Sequence, residues 1–218
     1  MTETNSLPKD ILLIDKPPGI SSFDVIRRLR KTMNVRKMGH AGTLDPQASG
    51  LLIIGVGTGT KKLQCFMQLP KTYRSTILLG KQTDTGDLDG AILRETVIDA
   101  LPEKIIVSVL NSMITTLNLP VPVYSAVKQS GVPLYRRARK GEHVIPPIKP
   151  MTILSLVLHS VTKEEKNILI DMTCTVSKGT YIRSIAEEIG NRLGVPATLA
   201  SLRRTHIGRY SVENAQTI

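Results

Sequence analysis

The stretch Ile168-Leu169-Ile170-Asp171-Met172-Thr173-Cys174-Thr175-Val176 alternates apolar and polar side chains. Ile168, Ile170, Met172, Cys174 and Val176 fall on one face, with Asp171, Thr173 and Thr175 on the other, which is the pattern of a strand buried on one side. Upstream, Leu154, Leu156 and Leu158 repeat the period of two, as do Tyr73, Ser75, Ile77 and Leu79. Downstream the period becomes helical: Ile182, Ile185, Ala186, Ile189 and Leu193 form one stripe, stopped by Gly194 and Pro196. Strands and helices adjoin without a regular strand–helix–strand beat. We therefore expect an α+β fold with a mixed, mainly antiparallel sheet flanked by helices.

Further out, Ile11 to Ile14 and Leu51 to Val56 are continuous apolar runs and read as strands covered on both sides. Val25, Ile26, Leu29 and Met33 have helical spacing behind Ser21 and Asp24, a capping-box pattern, and Arg27, Arg28, Arg30 and Lys31 form the outward face. Ile105, Ile106, Val109, Leu110 and Met113 predict another helix, with Pro102 placed for its first turn. The run Gly55-Val56-Gly57-Thr58-Gly59-Thr60-Lys61 invites a nucleotide-loop reading, but Thr60 stands where the dinucleotide and P-loop patterns both need glycine. It reads as the turn into a helix holding Leu63, Phe66 and Met67.

A chain of 218 residues, 41% hydrophobic, with 16 Gly and 13 Pro is neither disordered, collagen-like nor coiled coil. It is long enough to build a core without disulfides or a metal. Cys65 and Cys174 lie far apart and read as reduced core thiols, and the four histidines lack metal-ligand spacing, so no metal is expected. Met1 to Lys9 shows no charged segment followed by an apolar one, and no apolar run approaches the ~20 residues of a membrane span. The expectation is a cytoplasmic monomer with no membrane partner.

Twenty-nine Lys and Arg against 18 Asp and Glu leave a formal charge of +11. Such an excess suits a phosphate polyanion, although a merely solvated basic surface has equal weight on composition alone. With five Tyr, two Phe and no Trp, a broad aromatic platform for bases is ruled out. Lys128, Arg136, Arg137, Arg139, Lys140 and Lys149 face a single acid, Glu142, across one irregular stretch. It reads either as a phosphate-gripping loop or hairpin, or as a solvated connection.

Gly39-His40-Ala41-Gly42-Thr43-Leu44-Asp45-Pro46-Gln47-Ala48-Ser49-Gly50 packs three glycines, a His and an Asp just ahead of a buried strand. A strand-braced loop can hold a carboxylate rigidly, whereas Asp-Pro taken alone is an ordinary turn dipeptide. This segment resembles the catalytic loop of the TruB family of tRNA pseudouridine synthases. Further segments resemble the family's motifs in the same order: Asp15-Lys16-Pro17-Pro18-Gly19-Ile20-Ser21-Ser22, Lys71-Thr72-Tyr73-Arg74 with Gly80 to Asp87, Pro122 to Lys128, Ser177 to Ser184, and Ser201-Leu202-Arg203-Arg204.

The resemblance implies the pseudouridine synthase fold with an active-site cleft. It also implies isomerisation of the T-loop uridine of tRNA, conventionally position 55, without a cofactor. Asp45 matches the essential aspartate, which either attacks covalently or removes a sugar proton; the two routes stay open. Arg183 matches its guanidinium partner, able to orient a carboxylate through two hydrogen bonds; a purely structural arginine in a helix's first turn is mildly disfavoured by the helix dipole. Flipping the base out costs a few kcal/mol, and Tyr73 matches the tyrosine whose stacking returns about 1–3 kcal/mol, although strand periodicity alone makes Tyr73 a core residue. Lys16, His40, Gly42, Tyr181 and Leu202 match substrate-pocket positions.

For the phosphate backbone the expected contacts are Arg27, Arg30, Lys31, Lys128, Arg136, Arg137, Arg139 and Lys140. The chain reads as one catalytic domain spanning residues 1–218, with 128–149 as an RNA-contacting insertion. Ile218 follows Arg204 by only fourteen residues, so no PUA-type domain is expected and tRNA binding should be strongly salt-dependent. Two rival readings are a non-catalytic RNA-folding chaperone, against which Asp45, Tyr73 and Arg183 together argue, and a synthase acting on T-loop-like stem-loops in other RNAs.

Overall fold

A computed structural model describes residues 7–218. Most of the amino-terminal segment read above as lacking a leader, residues 1–6, lies outside the described residues. The chain begins with β1 (Ile11–Lys16), α1 (Ser22–Met33), β2 (Met38–His40) and β3 (Ser49–Val56). A 3-10 helix (Gly57–Lys62) leads into α2 (Leu63–Gln68) and then β4 (Lys71–Leu79). There follow β5 (Lys81–Thr83), β6 (Ile92–Glu95), α3 (Glu103–Ser112) and β7 (Thr116–Pro120). The basic stretch forms β8 (Lys128–Gln129), β9 (Val132–Pro133) and α4 (Leu134–Ala138). The long strands β10 (Ile148–Glu164) and β11 (Asn167–Val176), then α5 (Ile182–Leu193) and β12 (Ala197–Ile207), precede two short strands, β13 (Tyr210–Ser211) and β14 (Gln216–Thr217).

The chain divides into two compact units, one comprising residues up to Tyr73 together with Leu202–Ile218, the other Arg74–Ser201. In the first, β1 pairs antiparallel with β3, which also takes β2 antiparallel and the Arg203–Arg204 end of β12 in parallel. Both faces of this sheet are covered, as the two apolar runs require. Ile11, Leu13, Leu51 and Ile53 pack with Leu63 and Phe66 of α2, while Ile14, Leu52 and Ile54 pack with Val25 and Ile26 of α1. The α1 entry carries the full capping box: the Ser21 hydroxyl accepts from the Asp24 amide, and the Asp24 carboxylate accepts from the Ser21 amide.

In the second unit β10 pairs antiparallel with β11 and with β7. Along β11, Ile168, Ile170, Met172, Cys174 and Val176 are all buried, in the alternation the sequence predicts. Leu154 departs from expectation. It is 50% exposed, because the register of β10 shifts between Ile153 and Ser155 and the buried set runs Met151, Ile153, Leu156 instead. A bulge inserts one residue and turns every following side chain to the other face. Cys65 also departs: it is exposed while Cys174 is buried, both as free thiols, since α2 spends its inward positions on Leu63 and Phe66. Burial raises the Cys174 thiol to about 12, so it stays protonated. No helix among the described residues is long and apolar enough to cross a membrane.

Candidate active site

Between β2 and β3 the chain runs without regular structure from Ala41 to Ala48, so the position of Asp45 depends on what grips its backbone. The grip is made by buried polar side chains. Ser22, at the first turn of α1, donates from its hydroxyl to the Leu44 carbonyl at 3.1 Å and accepts from the Leu44 amide at 2.8 Å. Lys16, fully buried at the end of β1, donates from Nζ to the carbonyls of Pro17 (2.9 Å), Ile20 (2.7 Å) and Pro46 (3.0 Å). The Gly19 amide reaches the same Pro46 carbonyl at 2.9 Å. Arg204, also buried, extends from β12 to the carbonyls of Leu51 (2.7 Å), Gly42 (3.1 Å) and Thr43 (3.5 Å). Gly42 itself sits at φ +106, in the region glycine favours, where the loop turns onto the Arg204 guanidinium.

Electrostatics in this unit follow from the same burial. The Lys16 ammonium is drawn down to about 8 by desolvation, opposed by the nearby Asp45 carboxylate and assisted by the Arg204 cation. His40 is held below the usual imidazole range by burial and by Arg204, against a hydrogen bond to the Gly42 backbone that favours the protonated ring. Burial and the Arg204 charge thus both favour the neutral ring. The Lys16 charge is spent on backbone carbonyls rather than on solvent. Tyr73 stands on the inner face of β4 and is 8% exposed. Leu202 in β12 is half-buried.

In the second unit Arg183 is the second residue of α5 and is 5% exposed. Its guanidinium donates to the carbonyls of Thr85 (2.8 Å) and Tyr124 (3.0 Å) and stands 3.9 Å from the Asp87 carboxylate. An arginine merely projecting from a first turn would not be fixed in this way. Glu187, one turn further on, has its carboxyl raised by burial, with the Arg183 charge pulling the other way. Tyr181 is the residue preceding α5.

The expected phosphate contacts are unevenly available. Arg27 is paired with Asp24, and Arg30 lies 5.6 Å over the Phe23 ring and reaches the Met38 carbonyl, while Lys31 is exposed. In the basic stretch Arg137 is held by Glu142 and Gln129, and Arg136 and Arg139 lie over the Tyr135 ring. Lys128 and Lys140 are exposed. Sequence reasoning did not assign Ser22 or Arg204 to the site. A serine beside a helix cap reads as capping, and a second arginine in an Arg-Arg pair reads as surface. Both lie in segments that resemble family motifs, and the tertiary placement of the loop carbonyls gives each its role. Among the described residues no group of three His, Cys, Asp or Glu is placed to hold a metal ion.

The chain belongs to the TruB family: residues 30–182 match the family described as TruB family pseudouridylate synthase (N terminal domain). It is 42% identical over 208 residues to the tRNA pseudouridine synthase B of Syntrophotalea carbinolica, covering 95% of this chain and 67% of that protein. It is 40% identical to the protein of the same name from Bordetella pertussis, covering 95% of this chain and 84% of that one. Among solved structures, a Cbf5-Nop10-Gar1 complex contains a chain that superposes with a TM-score of 0.69 at 26% identity, over 95% of this chain and 52% of that one. An H/ACA RNP bound to a substrate RNA containing 2'-deoxyuridine gives 0.67 at 24%, which shows the shared fold. The chain spans about half the length of the chains in those two structures.

Proposed function

We propose that this enzyme converts the T-loop uridine of tRNA, position 55 in conventional numbering, to pseudouridine, acting in the cytoplasm as a monomer. The N1–C1′ bond breaks, the uracil turns within the site, and a C5–C1′ bond forms; C5 loses a proton and N1 gains one, so atoms and electrons balance without a cofactor. Asp45 is the catalytic group, attacking covalently or accepting a sugar proton. Arg183 supplies the guanidinium of the family motif, Tyr73 stacks on the flipped base, and Lys16, His40, Gly42, Tyr181 and Leu202 shape the substrate site. Lys31, Lys128 and Lys140, with Arg27, Arg30, Arg136, Arg137 and Arg139, serve the RNA backbone.

The observation that carries this reading is the clamp on the Asp45 loop. Three buried polar side chains, Ser22, Lys16 and Arg204, are committed to the carbonyls and amide on either side of one carboxylate. Buried hydrogen-bonding groups spent on a loop fix it in advance of substrate, and that preorganisation is what a catalytic carboxylate needs. The test is tritium release from tRNA transcript labelled at uridine C5, since attachment at C5 expels that hydrogen. Wild type releases tritium and Asp45→Asn releases essentially none. Equal release from the two would remove Asp45 from the chemistry.

A further inference from the structure

Formal charge is distributed unequally along the chain: residues 1–73 and 202–218 contain 14 Lys and Arg to 6 Asp and Glu, accounting for +8 of the total +11. Within that unit, three separate segments meet at the start of β2. The Val56 amide donates to the Asp10 carbonyl at 2.9 Å and the Gly57 amide to the Lys37 carbonyl at 2.8 Å. The Asp10 carboxylate accepts from Thr58 at 3.0 Å and from Lys62 at 2.7 Å, tying the 3-10 helix to the same point. The Lys62 ammonium, with the Thr58 hydroxyl, in turn holds the Asp10 carboxyl below its ordinary range. This knot carries five exposed cations, Lys9, Arg36, Lys37, Lys61 and Lys62, around one acid. Among the described residues Lys9, Arg36, Lys37 and Lys61 form no ion pair.

We infer that this knot is a binding site for the RNA sugar-phosphate backbone, built from cations other than those of α1 and of the Lys128–Lys149 stretch. The inference rests on the proposed RNA substrate. Holding five like charges together costs repulsion that a purely structural turn has no reason to sustain, and a phosphate strand removes it while releasing counterions. The location is suited to the task. From Lys37 the chain enters β2 (Met38–His40), together about 10 Å of extended chain, and β2 leads directly into the Asp45 loop. A strand seated on Arg36, Lys37 and Lys61 is thereby aligned with the approach to the catalytic carboxylate within a single compact unit. None of these residues stands out in the sequence, because Lys9, Arg36-Lys37 and Lys61-Lys62 are short pairs or singles separated by more than twenty residues.

The experiment compares the full chain with Arg36→Gln/Lys37→Gln/Lys61→Gln and with a charge-matched control, Arg94→Gln/Lys104→Gln/Lys166→Gln, whose cations are exposed on the other unit. Unmodified tRNA transcript is titrated at salt concentrations from 50 to 200 mM. The knot variant should lose about two to three units from the slope of log K against log salt, since each phosphate contact contributes about 0.7–0.9. The control should keep the wild-type slope. Equal slopes in wild type and the knot variant, or equal losses in both triple variants, overturn the inference. Because the readout is binding, it is independent of tritium release, whose failure in wild type would count against the proposed reaction and not against this surface. All six substitutions are on exposed side chains, and matching thermal unfolding curves confirm that the fold is retained.

Discussion

The ammonium of Lys16 donates to the carbonyl of Pro46 at 3.0 Å, joining the end of β1 to the residue immediately after Asp45. A lysine without solvent exposure is costly unless its protons are satisfied, and here three carbonyls satisfy all three. One side chain therefore holds both the turn after β1 and the aspartate loop. Desolvation, which lowers its proton affinity, is the consequence of that placement.

Replacing Lys16 by methionine keeps the stem and removes the donors. We expect a loss of about 1–3 kcal/mol at pH 7 in urea unfolding, reflecting carbonyls left without partners less the relieved burial of a charge. The pH dependence has a fixed sign. Folded Lys16 releases its proton near 8 and the unfolded lysine near 10.5, so between those values the unfolded chain holds more protons and wild type gains stability relative to Lys16→Met. A stability difference that stays flat from pH 7 to pH 10 would contradict the assignment. The catalytic rate should move in the opposite direction over the same range, because neutral Lys16 has two N–H groups for three carbonyls.

Ser22→Ala separates positioning from stability. The Leu44 amide and carbonyl lose the hydroxyl that serves both, at a cost of about 1–3 kcal/mol. Small displacements of a reacting group cost up to about 100-fold in rate, so the single-turnover rate at saturating tRNA should fall about 10- to 100-fold with tRNA affinity unchanged. A destabilised variant that retains the wild-type rate would show Ser22 to be structural only.

Gly50→Ala tests the seam between β3 and β12. Gly50 pairs with Arg204 in parallel register at φ +105, and a Cβ there would stand 2.7 Å from the Arg204 amide nitrogen and closer still to its carbonyl oxygen. Both strain and collision fall on backbone, which cannot swing aside. We expect a loss of about 3 kcal/mol or more, or failure to accumulate soluble protein, whereas Ala at the open Gly57 costs only its positive φ. Comparable unfolding midpoints for the two variants would refute the assignment.

Local rules were sufficient wherever a segment's neighbours are its own sequence neighbours. The capping box at Ser21 and Asp24, the alternation along β11 and the glycine stop at Gly194 are all present as read. Leu154 breaks the alternation because a bulge is decided by the register of the partner strand, which no pattern inside β10 records. Lys16 and Arg204 carry charges that ordinarily belong in water, so their burial becomes intelligible only when the Gly42–Pro46 carbonyls are seen converging on them. The cationic knot was illegible for a related reason: its members are brought together by two backbone hydrogen bonds between distant segments.

Glu187→Gln addresses the surroundings of Arg183. Burial raises the Glu187 carboxyl in the folded state, so the folded chain holds its proton to higher pH than the unfolded chain. The sign is then the reverse of the usual carboxylate: stability is lost as pH rises past the unfolded value toward the folded one. Glutamine carries no such penalty. Thermal unfolding should accordingly show Glu187→Gln gaining on wild type as the pH rises above the ordinary carboxylate range. Arg183 keeps its carbonyl partners at Thr85 and Tyr124 and its neighbour Asp87, so its placement does not depend on the Glu187 charge. If Glu187→Gln instead loses stability at pH 7.5, the attraction between Glu187 and Arg183 outweighs the burial of the carboxylate, and the two residues form an ion pair that stabilises α5.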